Sequence, residues 1–244
     1  MEEGLKEKKE IQERIIKARA EQNECLRILK NKYLSKNRIA GGVKFLQSNV
    51  IPTLTFGAET WNELTKNEKD ELNRVQTNYL AHLLKVPETT PKCALIGCLN
   101  LTKIEHIANT KKLQYYVDLM NRNENKLEVK MQKLQINRDM SYEREINDLK
   151  GKYKIDICLT GNNTKAIKNC IKNKIKEVND KEIEDEIKKG KKTYMMSVYS
   201  KDYIEKLHFE EARAIFMMLT RMIDVKTNFK NKHRNLECEI CQTE

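Results

Sequence analysis

The sequence predicts an all-α fold, a helical bundle followed by a second, looser helical region. Three observations predict it. Apolar residues recur three and four apart along most of the chain, the spacing that turns one face of a helix toward a core. Strand-like alternation is almost absent. Only 8 glycines and 3 prolines punctuate 244 residues, too few for the tight turns of a β-rich chain.

Residues 1–34 read as one amphipathic helix with a narrow seam of Ile11, Ile15, Ala18, Gln22, Cys25, Leu29 and Tyr33. Arg14, Lys17, Arg19, Arg27, Lys30 and Lys32 line its other faces, as solvated positions with pairs such as Glu10 and Arg14 or as ligand contacts. Ser35 is placed to cap the next helix, which carries Ile39, Val43, Phe45 and Leu46. Gly41 and Gly42 inside it each cost about 1 kcal/mol relative to alanine, so close packing or a closely approaching ligand is expected there. With Lys36, Arg38 and Lys44 nearby, a phosphate backbone is a candidate for that ligand.

The segment 50–61 holds Pro52, Gly57 and the only tryptophan, Trp61, and predicts a core knot joining two helical layers. Beyond it, Thr65 and Glu68 form a capping box that opens a helix with Leu72, Val75, Tyr79, Leu80, Leu83 and Leu84 and stops before Pro87. Thr90-Pro91 opens a short helix through Ala94 and Leu95, and a second capping box, Thr102 to Glu105, opens one running to Leu119. Residues 35–120 therefore read as one helical domain.

A polar stretch at 121–125 marks a boundary to a basic helical linker, 121–200. Short helices capped by Ser141 and by Asn163 or Thr164 are expected in it. The second sets Ile167, Ile171, Ile175 and Val178 beside Lys165, Lys168, Lys172 and Lys176, with Lys174 added and no acid between 165 and 176. That run is either a lysine-rich solvated face or a phosphate track. Lys188-Lys189-Gly190-Lys191-Lys192 is a basic turn suited to nucleic acid or nuclear import. The last region, 201–244, carries a helix from Asp202 to Val225 and ends in Cys238-Glu239-Ile240-Cys241.

Composition narrows the function. The 47 Lys and Arg against 36 Asp and Glu leave a formal charge of +11, which attracts polyanions. No apolar run approaches the ~18 residues that span a bilayer, and the charged start is unlike a secretion signal. Seven cysteines in such a chain suit a reducing compartment, nuclear or cytoplasmic.

The run Pro52-Thr-Leu-Thr-Phe56-Gly57-Ala58-Glu59-Thr60-Trp61 resembles the P-x-L-x-Y-G-A-E-x-W signature just past the polymerase core of LINE-type (non-LTR) retrotransposon reverse transcriptases, with Phe56 where tyrosine is usual. Gln76 with Leu80 and Leu83, then Val86-Pro87-Glu-Thr-Thr90-Pro91, Leu99-x-Leu101 and Lys111-Lys112-Leu113-Gln114-Tyr115 are similar to the motifs that follow in that family, in order. Arg213, Arg221, Val225, Asn228-Phe229-Lys230 and the Cys238/Cys241 pair look like the approach to its C-C-H-C zinc knuckle. The resemblance implies a thumb-like bundle and linker that holds RNA or RNA–DNA duplex and is partnered in the parent by the palm and fingers.

Zinc needs four ligands, and of that family's C-C-H-C set this chain offers Cys238 and Cys241, with His233 on the wrong side of them, so no occupied zinc site is expected; a longer chain with a full knuckle would bind zinc. A polymerase needs paired carboxylates on magnesium, which the resemblance assigns to the parent. No Asp-Asp pair, P-loop, nucleophile elbow or zincin motif occurs, and His82, His106 and His208 read as structural. Glu182, Glu184, Asp185 and Glu186 read as a solvated helix face. The expected function is thus non-catalytic phosphate binding through Lys36, Arg38, Lys44, Lys165, Lys168, Lys172, Lys174 and Lys176, with no cofactor. The alternative is a helical interaction scaffold from a decayed retroelement, self-associating through residues 5–33.

Overall fold

The computed structural model describes residues 2–29, 38–61, 64–122, 126, 129–130, 141–155, 163–189 and 207–220. Among them the protein is all-α, with no strand. The helices are α1 (Glu2–Ile28), α2 (Arg38–Phe45), α3 (Ile51–Leu54), α4 (Lys66–Leu84), α5 (Lys92–Cys98), α6 (Ile104–Met120), α7 (Ser141–Tyr153), α8 (Thr164–Lys189) and α9 (Phe209–Leu219).

The seam of α1 is buried at Ile11, Ile15, Ala18, Gln22, Cys25 and Leu29, as its three-and-four spacing predicts. It packs on α3 and α4: the Gln22 amide donates to the Val75 carbonyl at 3.2 Å, and Cys25 Sγ lies 3.3 Å from the Tyr79 hydroxyl. Ile11, Ile15 and Leu29, through which the sequence allows self-association, are therefore covered by this same chain.

Two glycines have distinct reasons to be there. A Cβ on Gly42 would lie 2.3 Å from Leu83 Cδ1, so α2 meets α4 closely, and the Gly42 carbonyl accepts from Tyr79 at 2.9 Å. Close packing, not a ligand, accounts for it. Gly57 takes φ +75°, which reverses the chain into a 3-10 turn, Ala58–Thr60.

Between α2 and α3 runs a π-helical turn, Leu46–Val50, in which the Ile51 amide reaches back to the Leu46 carbonyl. Pro52 follows at the start of α3. Its ring has no N–H for the carbonyl four residues back, and the wider turn accommodates that loss without breaking the path. Trp61 closes the knot, 3% exposed, its indole N–H buried without a hydrogen-bond partner.

The Thr65–Glu68 capping box opens α4 as predicted, with Glu68 reciprocating to the Thr65 amide at 2.8 Å. The other two predicted starts differ. Pro91, not Thr90, stands at the cap of α5, so the helix starts one residue later than expected, and the Thr90 hydroxyl bonds back to the Pro87 carbonyl at 2.6 Å. Helix α6 begins after Lys103, not Thr102. Its opening amides are satisfied from afar: Lys103 N–H by Asn179 Oδ1 at 3.1 Å, Ile104 N–H by Asn73 Oδ1 at 3.0 Å.

Three helices close on a non-glycine residue with positive φ, namely Lys85, Asn100 and Lys154. In each case the next residue, Val86, Leu101 or Ile155, donates five residues back and is buried. This Schellman-type closure locks the chain end through an apolar plug, which explains how so few glycines suffice.

Two apolar cores result. The first gathers α1 to α5, the start of α6, Ile183 and Ile187 of α8, and Phe209, Ala212 and Phe216 of α9. The second joins Leu113, Tyr116 and Val117 of α6, Ile146, Leu149 and Tyr153 of α7, Ile155, and Ile171 and Ile175 of α8. Helix α8 is far longer than the short helix expected, and its buried residues Ile171, Ile175, Asn179, Ile183 and Ile187 step by four. A four-residue step drifts around a 3.6-residue helix, so α8 turns its buried face from one core to the other. Helix α9 opens behind the His208 cap and closes at the Thr220 cap, shorter than the Asp202–Val225 helix expected, and buries Phe209, Ala212 and Phe216.

Candidate functional site

Helix α8 presents Lys165, Lys172 and Lys176 at exposed positions seven and four residues apart, which places them on one face. Between α6 and α8 lies a groove of about 300 Å³ lined by Thr102, Ile107, Thr110, Lys111, Gln114, Lys172, Ile175 and Lys176. Most of its wall is apolar, from the two isoleucines and the carbon stems of the other side chains, and three lysines, two threonines and a glutamine supply donors. None of the lining residues is acidic. Its makeup suits an anion with several oxygens spaced along a strand.

Lys111 is the member that sequence reasoning missed. It lies half-buried on α6, its ammonium donating to the Thr55 carbonyl at 2.8 Å. Burial lowers its pKa, against the opposing pull of Glu59. The signal available was a lysine within the apolar pattern of α6, which the sequence offers without showing what it faces.

The remaining predicted positions divide. Lys44 is exposed in the last turn of α2. Lys168 is paired with Asp118 of α6 at 2.6 Å, and Lys174 with Glu177 at 3.3 Å on another face of α8, so neighbours compensate charge that the linear sequence leaves open. Arg38 is corrected: it is 7% exposed and is not part of a phosphate-facing surface. Its guanidinium donates to the carbonyls of Leu83 at 3.2 Å and Leu29 at 3.1 Å and lies 4.7 Å from the Phe209 ring centre. It thus clasps α1, α4 and α9 together. Lys36, Cys238 and Cys241 lie outside the described residues. Of the signature residues, Ala58 and Trp61 are core, Pro52 and Gly57 shape the turn, and Glu59 is half-buried near Lys111.

A second polar assembly bridges the same two helices. His106, fully buried, places Nδ1 2.7 Å from the Tyr153 hydroxyl and Nε2 3.0 Å from Glu182 Oε2. Asn109 donates to the same hydroxyl at 2.9 Å. Lys103 bridges Glu182 at 3.3 Å and Glu186 at 2.7 Å, and Lys152 stands 3.9 Å from Glu182. Burial raises the pKa of Glu182, but the His106 hydrogen bond and charge, with Lys103 and Lys152, outweigh it and hold the carboxyl at about 2. Glu182 and Glu186 are therefore structural partners, not the purely solvated face the sequence suggests; Glu184 and Asp185 are exposed.

Ligand atoms of Glu105, His106 and Glu182 lie within 4.8 Å of one another, near enough to share a cation. The ammonium groups of Lys103 and Lys152 already supply positive charge at Glu182. That makes the assembly a cross-tie between helices. His82 is exposed 3.7 Å from Glu88, and the His208 amide opens α9 by donating to Glu211 at 3.1 Å.

Among the described residues no helix is long and apolar enough to cross a membrane. Among the described residues, Cys25, Cys93, Cys98 and Cys170 are not in disulfides. No family model, no curated protein and no solved structure matches this chain.

Proposed function

We propose that this chain is a non-catalytic nucleic-acid-holding piece, thumb and linker, of a non-LTR retrotransposon reverse transcriptase, gripping RNA or RNA–DNA duplex by its phosphates. The observation that carries the reading is the groove lined by Lys111, Lys172 and Lys176 and by no acid. Lys165 extends that face along α8, and a net charge of +11 supports capture of a polyanion. Phosphates carry no base identity, so binding is independent of sequence, and an A-form duplex is met through its backbone and shallow groove.

Neutralising four to six phosphates gives a slope of roughly −3 to −5 in log K against log salt. Gel-shift affinity for an RNA–DNA hybrid, measured at two salt concentrations, tests this. Affinity indifferent to salt, or unchanged when Lys111, Lys172 and Lys176 become glutamine, ends the proposal. Primer extension with magnesium is expected to give no product, because chemistry is assigned to the parent's palm.

A further inference from the structure

Phe56 is 62% exposed at the turn ahead of Gly57, an aromatic ring placed where burial gains it little. The guanidinium of Arg14 sits 4.4 Å from its ring centre, held in turn by Glu10 at 3.3 Å. One peptide unit away, the Thr55 carbonyl anchors the ammonium of Lys111, which lines the lysine groove. A cation-backed ring thus stands one residue from the carbonyl that anchors Lys111, a member of the lysine groove. The core does not need the ring, since Leu54, Thr55 and Ala58 around it fill the interior.

From this juxtaposition we infer that Phe56 and Arg14 form a stacking platform for an unpaired nucleobase of a strand whose phosphates run along Lys111, Lys172 and Lys176. A nucleobase offers a flat π-face whatever its identity, and pairing aromatic platforms with a cationic track is how sequence-tolerant single-strand sites are built. Arg14 adds a cation at the ring and fixes its orientation. The inference rests on the phosphate-binding reading and adds a site for single-stranded extension beside the duplex.

The test compares a blunt RNA–DNA hybrid with the same hybrid carrying a four-nucleotide single-stranded extension at either end, with 2-aminopurine in the extension as a fluorescent reporter. The full chain is expected to bind one extended hybrid on the order of tenfold more tightly than the blunt one. Phe56→Ala should abolish that advantage and the reporter's change while leaving blunt-hybrid affinity and its salt slope intact; Phe56→Trp should keep both. An extension of abasic sites should behave like the blunt hybrid. Salt-dependent binding with no advantage for an extension, or an advantage that survives Phe56→Ala, overturns the platform alone and assigns the ring to another contact, such as a protein surface. Failure of the wild-type chain to bind any hybrid overturns the phosphate reading and the platform with it.

Discussion

Helices α6 and α8 pack along each other, and charge is handled in opposite ways at two places on that contact. Near the start of α6, Lys103 and His106 are matched by Glu182 and Glu186, with Tyr153 and Asn109 completing the hydrogen bonds. One to two turns further along α6, Lys111 faces Lys172 and Lys176 across an open groove lined by no acid. The first arrangement satisfies buried charge and ties the fold. In the second, like charges gather, which a stability requirement alone does not favour. The difference separates a buried set of charges closed by acids from a lysine-lined groove whose wall holds none.

Breaking the first arrangement should have the largest effect. His106→Leu removes one buried hydrogen-bond partner each from the Tyr153 hydroxyl and Glu182, and unfolding in urea should show a loss of about 2 kcal/mol. A loss below about 1 kcal/mol would make the assembly incidental. In the groove the signature reverses. Replacing the exposed Lys172 and Lys176 together with glutamine should shift stability by no more than about 0.5 kcal/mol per site while reducing the salt slope for an RNA–DNA hybrid by about 2. Equal losses of stability at both places would erase the distinction.

Acid titration sharpens it further. The folded Glu182 carboxyl is held near 2, below the ~4.3 of an unfolded glutamate. Its contribution is therefore complete above about pH 4.3 and is lost as pH falls toward 2. The gap in thermal midpoint between wild type and Glu182→Gln should narrow across that window, and a constant gap would refute the electrostatic account. Smallest of all, Asp118→Asn should cost under about 1 kcal/mol, because its pair with Lys168 is partly exposed and screened by salt. A double-mutant cycle with Lys168→Gln reads that coupling directly.

What the sequence made legible was local. The α1 seam and the apolar face of α4 follow from spacing alone, and the Thr65 capping box is complete within four residues. What it hid was distant. Arg38 looks like a surface cation until Leu29, Leu83 and Phe209 close around it, and the start of α6 is set by Asn73 and Asn179, one on each neighbouring helix. Half of the groove was visible as the α8 lysine stripe. Its other wall was not, because Lys111 reads as one more position in a helix whose buried residues point several ways. Charge pairing between helices is set by tertiary approach, which spacing within one helix does not encode.

Neither apolar core owns α6 or α8; each helix threads both. Loss of either helix's grip in one half withdraws its support from the other, so the described parts should unravel together rather than in stages. Trp61 fluorescence, reporting the first core, and hydrogen exchange at the amides of Ile171 and Ile175, reporting the second, should then give a shared free energy of opening.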